Sequence, residues 1–215
     1  MTMITIYPTL FDDSLSDITP PYNTVSEKQA EKLFTYFKEH PLFNWKNSHN
    51  GCEGKADAVC VLLDEWGIPN YKAWVFGGAY LRKNYVGELM KYWNYHVAAV
   101  LAVEKDGKII QYVLDPATAD TLQTVEDWAA GITYISHSYH CTRQAHWYIF
   151  SGKSIINEKW NKRNRRNRKW MIQCLAGINS LTIVGKAQLC FKKTQIKKTL
   201  LAFREAKKNK PDLND

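Results

Sequence analysis

The stretch YHVAAVLAVEKDGKIIQYVLDP, residues 95–116, constrains the fold of this chain more than any other. Its first part, 95–103, is an almost unbroken apolar run, which predicts a strand buried on both faces. Asp106-Gly107 is a two-residue hairpin signal, because both residues tolerate the positive φ that a tight turn between twisted strands needs. The run 108–116 is the returning strand, stopped by Pro116. A two-residue turn also fixes the register, with facing residues summing to 213. His96 therefore faces about residue 117, and Asp115 falls two residues away on the same side of the sheet. A slip of one or two residues still leaves them neighbours.

Helices surround this hairpin. Residues 1–25, with Pro8, Pro20 and Pro21, read as an irregular lead-in. Ser26 followed by Gln29 is a capping box, and Ala30, Leu33, Phe34 and Phe37 form one apolar stripe, so a helix of about 14 residues runs up to Pro41. A second helix opens at about Cys52, with Ala56, Val59, Cys60, Leu63 and Trp66 at helical spacing and Gly67 at the capping position. Residues 71–77 read as a strand and 78–92 as a longer excursion. Thr124 caps a short helix ending at Gly131, and HWYIF, 146–150, reads as a last strand. Helix, cysteine-led helix and antiparallel sheet together predict an α+β fold.

Cys52 follows Gly51 in the turn HNGCEGKA. A helix N-terminus carries about half a positive charge and several unpaired N–H groups, which favour a thiolate and can hold an oxyanion. Lys55 adds positive charge one turn on, and Glu53 opposes it. A thiol nucleophile needs a base in reach, and His96 at the start of the central strand supplies one. Asp115 is placed to fix the tautomer and orientation of that histidine. Asn50 and Ser48 are candidate helpers at the oxyanion, and Trp45, Trp74, Tyr80 and Trp93 are candidate cleft aromatics against a default of core packing. Cys60, on the apolar stripe, reads as a buried small hydrophobe.

At these residues the chain resembles the bacterial protein-glutaminases, the protein-glutamine deamidases of the transglutaminase-like, papain-like superfamily. The likeness runs from about Thr24 to Phe150 and rests on QAEKLFTYFK, GCEGKA, WNYHVA and YVLDP. It implies a papain-like core, a Cys52–His96–Asp115 triad and a protein or peptide substrate with an accessible glutamine, with Trp93, Glu53, Lys55 and Asn50 touching that substrate. No cofactor is implied. Family members read Gly-Cys-Tyr-Ala-Arg-Ala at the nucleophile, where this chain has Gly-Cys-Glu-Gly-Lys-Ala. A papain-like cysteine protease and a transglutaminase share the triad and remain alternatives.

The charge is divided along the chain. Residues 153–215 carry 17 Lys and Arg against Glu158, Glu205, Asp212 and Asp215, a balance of +13 within a total of +8. The remaining 1–152 are net acidic, so the reading is a catalytic domain over 1–152 and a basic, mostly helical extension over 153–215. Residues 192–210 form its basic amphipathic helix, with Ile196, Leu200 and Phe203 on one side. An acidic partner suits such a region, and a nucleic-acid-binding module without catalysis is the alternative of another class. Five cysteines at irregular spacing do not make a disulfide framework, although Cys141 could pair with Cys174 or Cys190. His137, His140, Cys141 and His146 match no tetrahedral spacing, so no metal is expected. The chain has no run long enough to span a membrane and no signal peptide at its start. The setting this implies is a bacterial cytoplasm, with delivery into another cell as an effector or toxin.

Overall fold

The computed structural model describes residues 24–45, 51–80, 92–133, 139–145, 160–178 and 183–214. In chain order the elements are β1 (Val25–Ser26), α1 (Glu27–Glu39), α2 (Cys52–Glu65), β2 (Tyr71–Tyr80), β3 (Tyr92–Lys105), β4 (Lys108–Leu114), β5 (Gln123–Thr124), α3 (Val125–Ile132) and β6 (Tyr139–Gln144). Three helices follow: α4 (Trp160–Leu175), α5 (Ile183–Phe191) and α6 (Lys193–Lys208). The strands form one sheet in the order β5-β4-β3-β2-β6, antiparallel throughout, with β1 added parallel to the far end of β3. The expected α+β class is the one observed.

The hairpin folds as its turn dictates. Asp106 and Gly107 have φ of 51° and 71°, both left-handed, as the two central positions of a type I′ turn require. Every pair from Ala99↔Leu114 to Lys105↔Lys108 keeps the anticipated register. The strands flanking residues 81–91 are longer than expected: β2 continues to Tyr80 and β3 begins at Tyr92. The ladder between them shifts between Phe76 and Ala79, where Gly77-Gly78 accommodate the irregularity. The expected strand at 146–150 lies outside the described residues; β6, at 139–144, pairs with β2 instead.

The two faces of the sheet have separate cores. Ala99, Leu101, Val103 and Leu114 pack under Leu33 and Phe37 of α1 and Val59, Leu62 and Leu63 of α2. Ala98, Val100, Ala73, Val75 and Val113 point the other way, onto Val125, Trp128, Ala129 and Ile132 of α3. Ser26 accepts from the Gln29 N–H while the Gln29 side chain accepts from the Ser26 N–H, so α1 starts on the predicted capping box. The predicted stripe of α1 is its buried face.

Helix α2 departs from the amphipathic reading. All residues from Glu53 to Leu63 are buried, the charged ones included, because the sheet covers one side and α4 another. Met171, Ile172 and Leu175 of α4, with Phe203 and Ala206 of α6, belong to the same core as α1 and α2. Asp57 is held in this interior between Lys72 Nζ of β2 at 3.4 Å and Arg168 Nη1 of α4 at 3.6 Å. A buried carboxylate flanked by two cations resists removal, since the cations are then left without their counter-ion in a low-dielectric site. Asp57→Ala is expected to lower unfolding free energy by about 3–5 kcal/mol, measured by urea titration against wild type.

Candidate active site

The site lies where β4 stops short. Strand β4 ends at Leu114, so among the described residues the edge of β3 beside His96 and Val97 has no strand neighbour on that side. The start of α2 occupies this gap. The backbone N–H of Val97 donates to the Cys52 sulfur, as does that of Glu53. Cys52 is half-buried and packs with Ala56, Trp74, Phe76 and Val97. Gly51, at φ 100°, caps the helix in the left-handed region without a side chain, which suits a residue lacking Cβ.

His96 and Asp115 meet as the register requires. Both are buried, and His96 Nε2 lies 2.8 Å from Asp115 Oδ2. The same carboxylate oxygen accepts from Thr118 Oγ1 at 2.6 Å and from Trp128 Nε1 at 3.1 Å. The Trp128 N–H is also shared with Thr118 Oγ1 at 3.0 Å, and its ring lies 5.7 Å from the imidazole. Burial alone would raise the Asp115 pKa, but the His96 charge and these three hydrogen bonds outweigh it, and the carboxyl is held below its ordinary 3.8. Asp115 is therefore an anion that keeps its partner oriented.

Thr118 and Trp128 escape the sequence reading. Thr118, three residues after an Asp-Pro step, carries a turn signal that could have marked it. Trp128 gives none, because only the packing of α3 on the sheet aims its indole at Asp115.

The thiol differs from expectation. Burial, the Glu53 charge and a hydrogen bond from Cys52 Sγ to Glu53 Oε2 at 3.4 Å raise the Cys52 pKa well above the ordinary thiol value, against the pull of the two backbone N–H groups. The resting group is a neutral thiol, not the depressed thiolate that a helix start alone predicts. Glu53, also buried, accepts from the Tyr95 hydroxyl as well. Lys55 is buried over the Trp45 ring, 5.6 Å from its centre, and burial lowers its pKa against the attraction of Asp115, Cys52 and Cys174. Trp45 and Trp74 are core residues rather than cleft walls. Asn50 and Ser48 lie outside the described residues, as do the side chains of Trp93 and Tyr80.

All five cysteines are free thiols. Cys60 is buried, as anticipated, and its pKa is pushed up to about 12, chiefly by burial. Cys141, opposite Trp74 on β6, is raised to about 11 by burial. Cys174 of α4 approaches the start of α2. A Cβ added to Gly54 would lie 2.6 Å from the Cys174 Cβ, and one added to Gly51 would lie 3.2 Å from it. His140 is exposed on β6, whereas His137 and His146 lie outside the described residues. Among the described residues, no cluster of three or more potential ligands could hold a metal ion.

A helix opening with a cysteine against the central strand of an antiparallel sheet, with a buried histidine–carboxylate pair on that strand and the turn after its neighbour, defines the class as an α+β protein. Residues 30–132 match the glutaminase family model. The fold is similar to that of a protein-glutaminase from Chryseobacterium proteolyticum solved by NMR, at TM-score 0.53 and 17% identity over 71% of this chain and 89% of that one. A crystal structure of protein-glutaminase matches at 0.57 and 14% over the same shares. A crystal structure of pro-protein-glutaminase matches at 0.52 and 15%, over 73% of this chain and 63% of that one. No curated protein matches the chain by sequence. Residues 30–132 thus share the pattern of the glutaminase family, and the chain shares the fold of the protein-glutaminases.

Two measurements probe this local arrangement. Glu53→Gln removes the charge that raises the Cys52 pKa, so the pH midpoint of iodoacetamide labelling at Cys52 should move down; an unchanged midpoint would show that Glu53 does not control the thiol. Gly54→Ala forces a methyl against Cys174 and should cost about 1–3 kcal/mol of stability, as overpacking does, read from the urea midpoint.

Proposed function

We propose that this chain hydrolyses the side-chain amide of protein-bound glutamine to glutamate and ammonia, with Cys52 as nucleophile, His96 as acid and base, and Asp115 as the group that orients His96. The observation that carries the reading is the buried His96–Asp115 contact one residue from Val97, whose N–H holds the Cys52 sulfur. The likeness to the glutaminase family model and to the protein-glutaminase structures supports a protein-bound glutamine as substrate.

The chemistry follows from proton placement. Donation from His96 Nε2–H to the Asp115 anion leaves Nδ1 as the ring nitrogen that takes and gives the reacting proton. Because the Cys52 thiol rests protonated, its proton passes to Nδ1 as sulfur attacks the glutamine carbonyl carbon. The new oxyanion is held by backbone N–H groups at the start of α2. His96 then gives the proton to the departing nitrogen, ammonia leaves and a thioester remains. Nδ1 takes a proton from water, the hydroxyl attacks the thioester, and glutamate is released as the thiol regains its proton. Net, one amide and one water give one carboxylic acid and one ammonia.

Glu53, Lys55, Trp93 and Asn50 are proposed to contact the substrate. Glu53 is the best supported, since its carboxylate borders both Cys52 and Tyr95. The proposal extends to a papain-like core, to an effector or toxin role on one host glutamine, and to an acidic partner for the basic 153–215 region. The test is incubation of wild type and Cys52→Ala with glutamine and asparagine peptides. Wild type should release ammonia from glutamine peptides with the backbone intact, and Cys52→Ala should lose about 10⁴-fold or more. Asp115→Asn should lose about 10²–10⁴-fold through misorientation of His96. Backbone cleavage would indicate a protease, amine incorporation a transglutaminase, and salt-sensitive nucleic-acid binding without turnover a binding module. Equal activity on many unrelated denatured proteins would overturn the one-target role.

A further inference from the structure

Large apolar side chains are rarely left in water together on one helix unless something covers them. Among the described residues five are exposed: Ile109, Ile183, Val184, Phe191 and Leu201. Four of the five lie on α5 and α6. Helix α5 is turned the unusual way round. Ile183, Ala187, Cys190 and Phe191 recur at i, i+4, i+7 and i+8, which is one helical face, with Val184 beside it. All five are exposed, while the residue α5 buries is Gly185. Ile183 and Phe191 are 86% and 87% exposed, so they stand out from the surface rather than line a depression.

Helix α6 follows α5 directly in the chain and carries a different chemistry. Phe203 and Ala206 face the core and Ile196 and Leu200 pack against it, which anchors the helix and leaves Lys193, Lys197, Lys198 and Leu201 outward. Lys186 on α5 is exposed as well. No Asp or Glu occurs between Lys159 and Arg204, so the lysines here meet no acid from their own stretch of chain.

We propose that the exposed face of α5, continued by Lys193, Lys197, Lys198 and Leu201, docks on the anionic headgroup region of a lipid bilayer. The lysines supply the attraction to acidic headgroups, and Ile183, Val184 and Phe191 enter the boundary between headgroups and acyl chains, the depth at which interfacial amphipathic helices lie. A second copy of the chain is disfavoured as the occupant, because the face would meet its own positive charge. A bilayer suits protruding side chains better than a folded acidic partner would, since it deforms around them without a preformed pocket. Among the described residues no helix is long and apolar enough to cross a membrane, so the contact is one of lying on the surface.

The experiment is co-sedimentation of the full chain with vesicles of phosphatidylcholine alone or mixed with phosphatidylserine. Three proteins are compared: wild type, the double variant Ile183→Ser with Phe191→Ser, and the triple variant Lys193→Glu, Lys197→Glu, Lys198→Glu. All altered side chains are exposed, and a thermal melt matching wild type verifies that each variant is folded. Wild type should bind the mixed vesicles and not the neutral ones, and each variant should bind about tenfold or more weakly. Absence of binding to mixed vesicles would overturn the proposal. So would binding that the serine double variant leaves unchanged, or equal retention of that variant and wild type on a nucleic-acid column, since either means attraction to any polyanion. A wild-type dimer that the serine variant dissolves would assign the face to a second copy instead.

Discussion

The turn at Asp106-Gly107 is the constraint on which the candidate site depends. Both residues are in the left-handed region, so the turn holds two residues and no more, and the register of β3 against β4 follows. Ala99 then faces Leu114, and the chain leaves the ladder at Asp115 while β3 still continues backward past His96. That difference in length does two things. It puts Asp115 within a hydrogen bond of His96 on the α3 side, and it leaves open the strand edge where the first turn of α2 brings Cys52 against Val97.

Features set by local physics were legible in the sequence. The Ser26 box, the stripe from Ala30 to Phe37, the Thr124 cap and the hairpin each depend on residues within a few positions of one another. The meeting of His96 with Asp115 was legible for the same reason, since one turn sets it. Features made by distant segments were hidden. Trp128 reaches Asp115 only because α3 lies flat on Ala98, Val100 and Val113. The all-round burial of α2 is of this kind, although the uncharged run Ala58–Leu63 is its trace in the sequence.

The thiol shows how tertiary context can reverse a local argument. A helix start favours a thiolate by a modest amount that fades within one turn. At Cys52 that pull competes with loss of water and with a carboxylate one residue away whose side chain folds back onto the sulfur. Burial and a like charge together shift a pKa further than a helix terminus does, so they win.

Gly54 connects this local chemistry to the C-terminal helices. The family pattern has alanine at this position, and alanine is the better helix former by about 1 kcal/mol. The glycine is accounted for by Cys174, which lies so close that a Cβ at Gly54 would come within 2.6 Å of it. Close approach of α4 therefore requires the absence of a methyl group in the first turn of α2. With Asp57 bridging Lys72 and Arg168 one turn further on, α4 holds α2 from the side opposite the sheet. Gly54 is thus accounted for by packing against the helices that follow, while Glu53, beside it, is in contact with the sulfur.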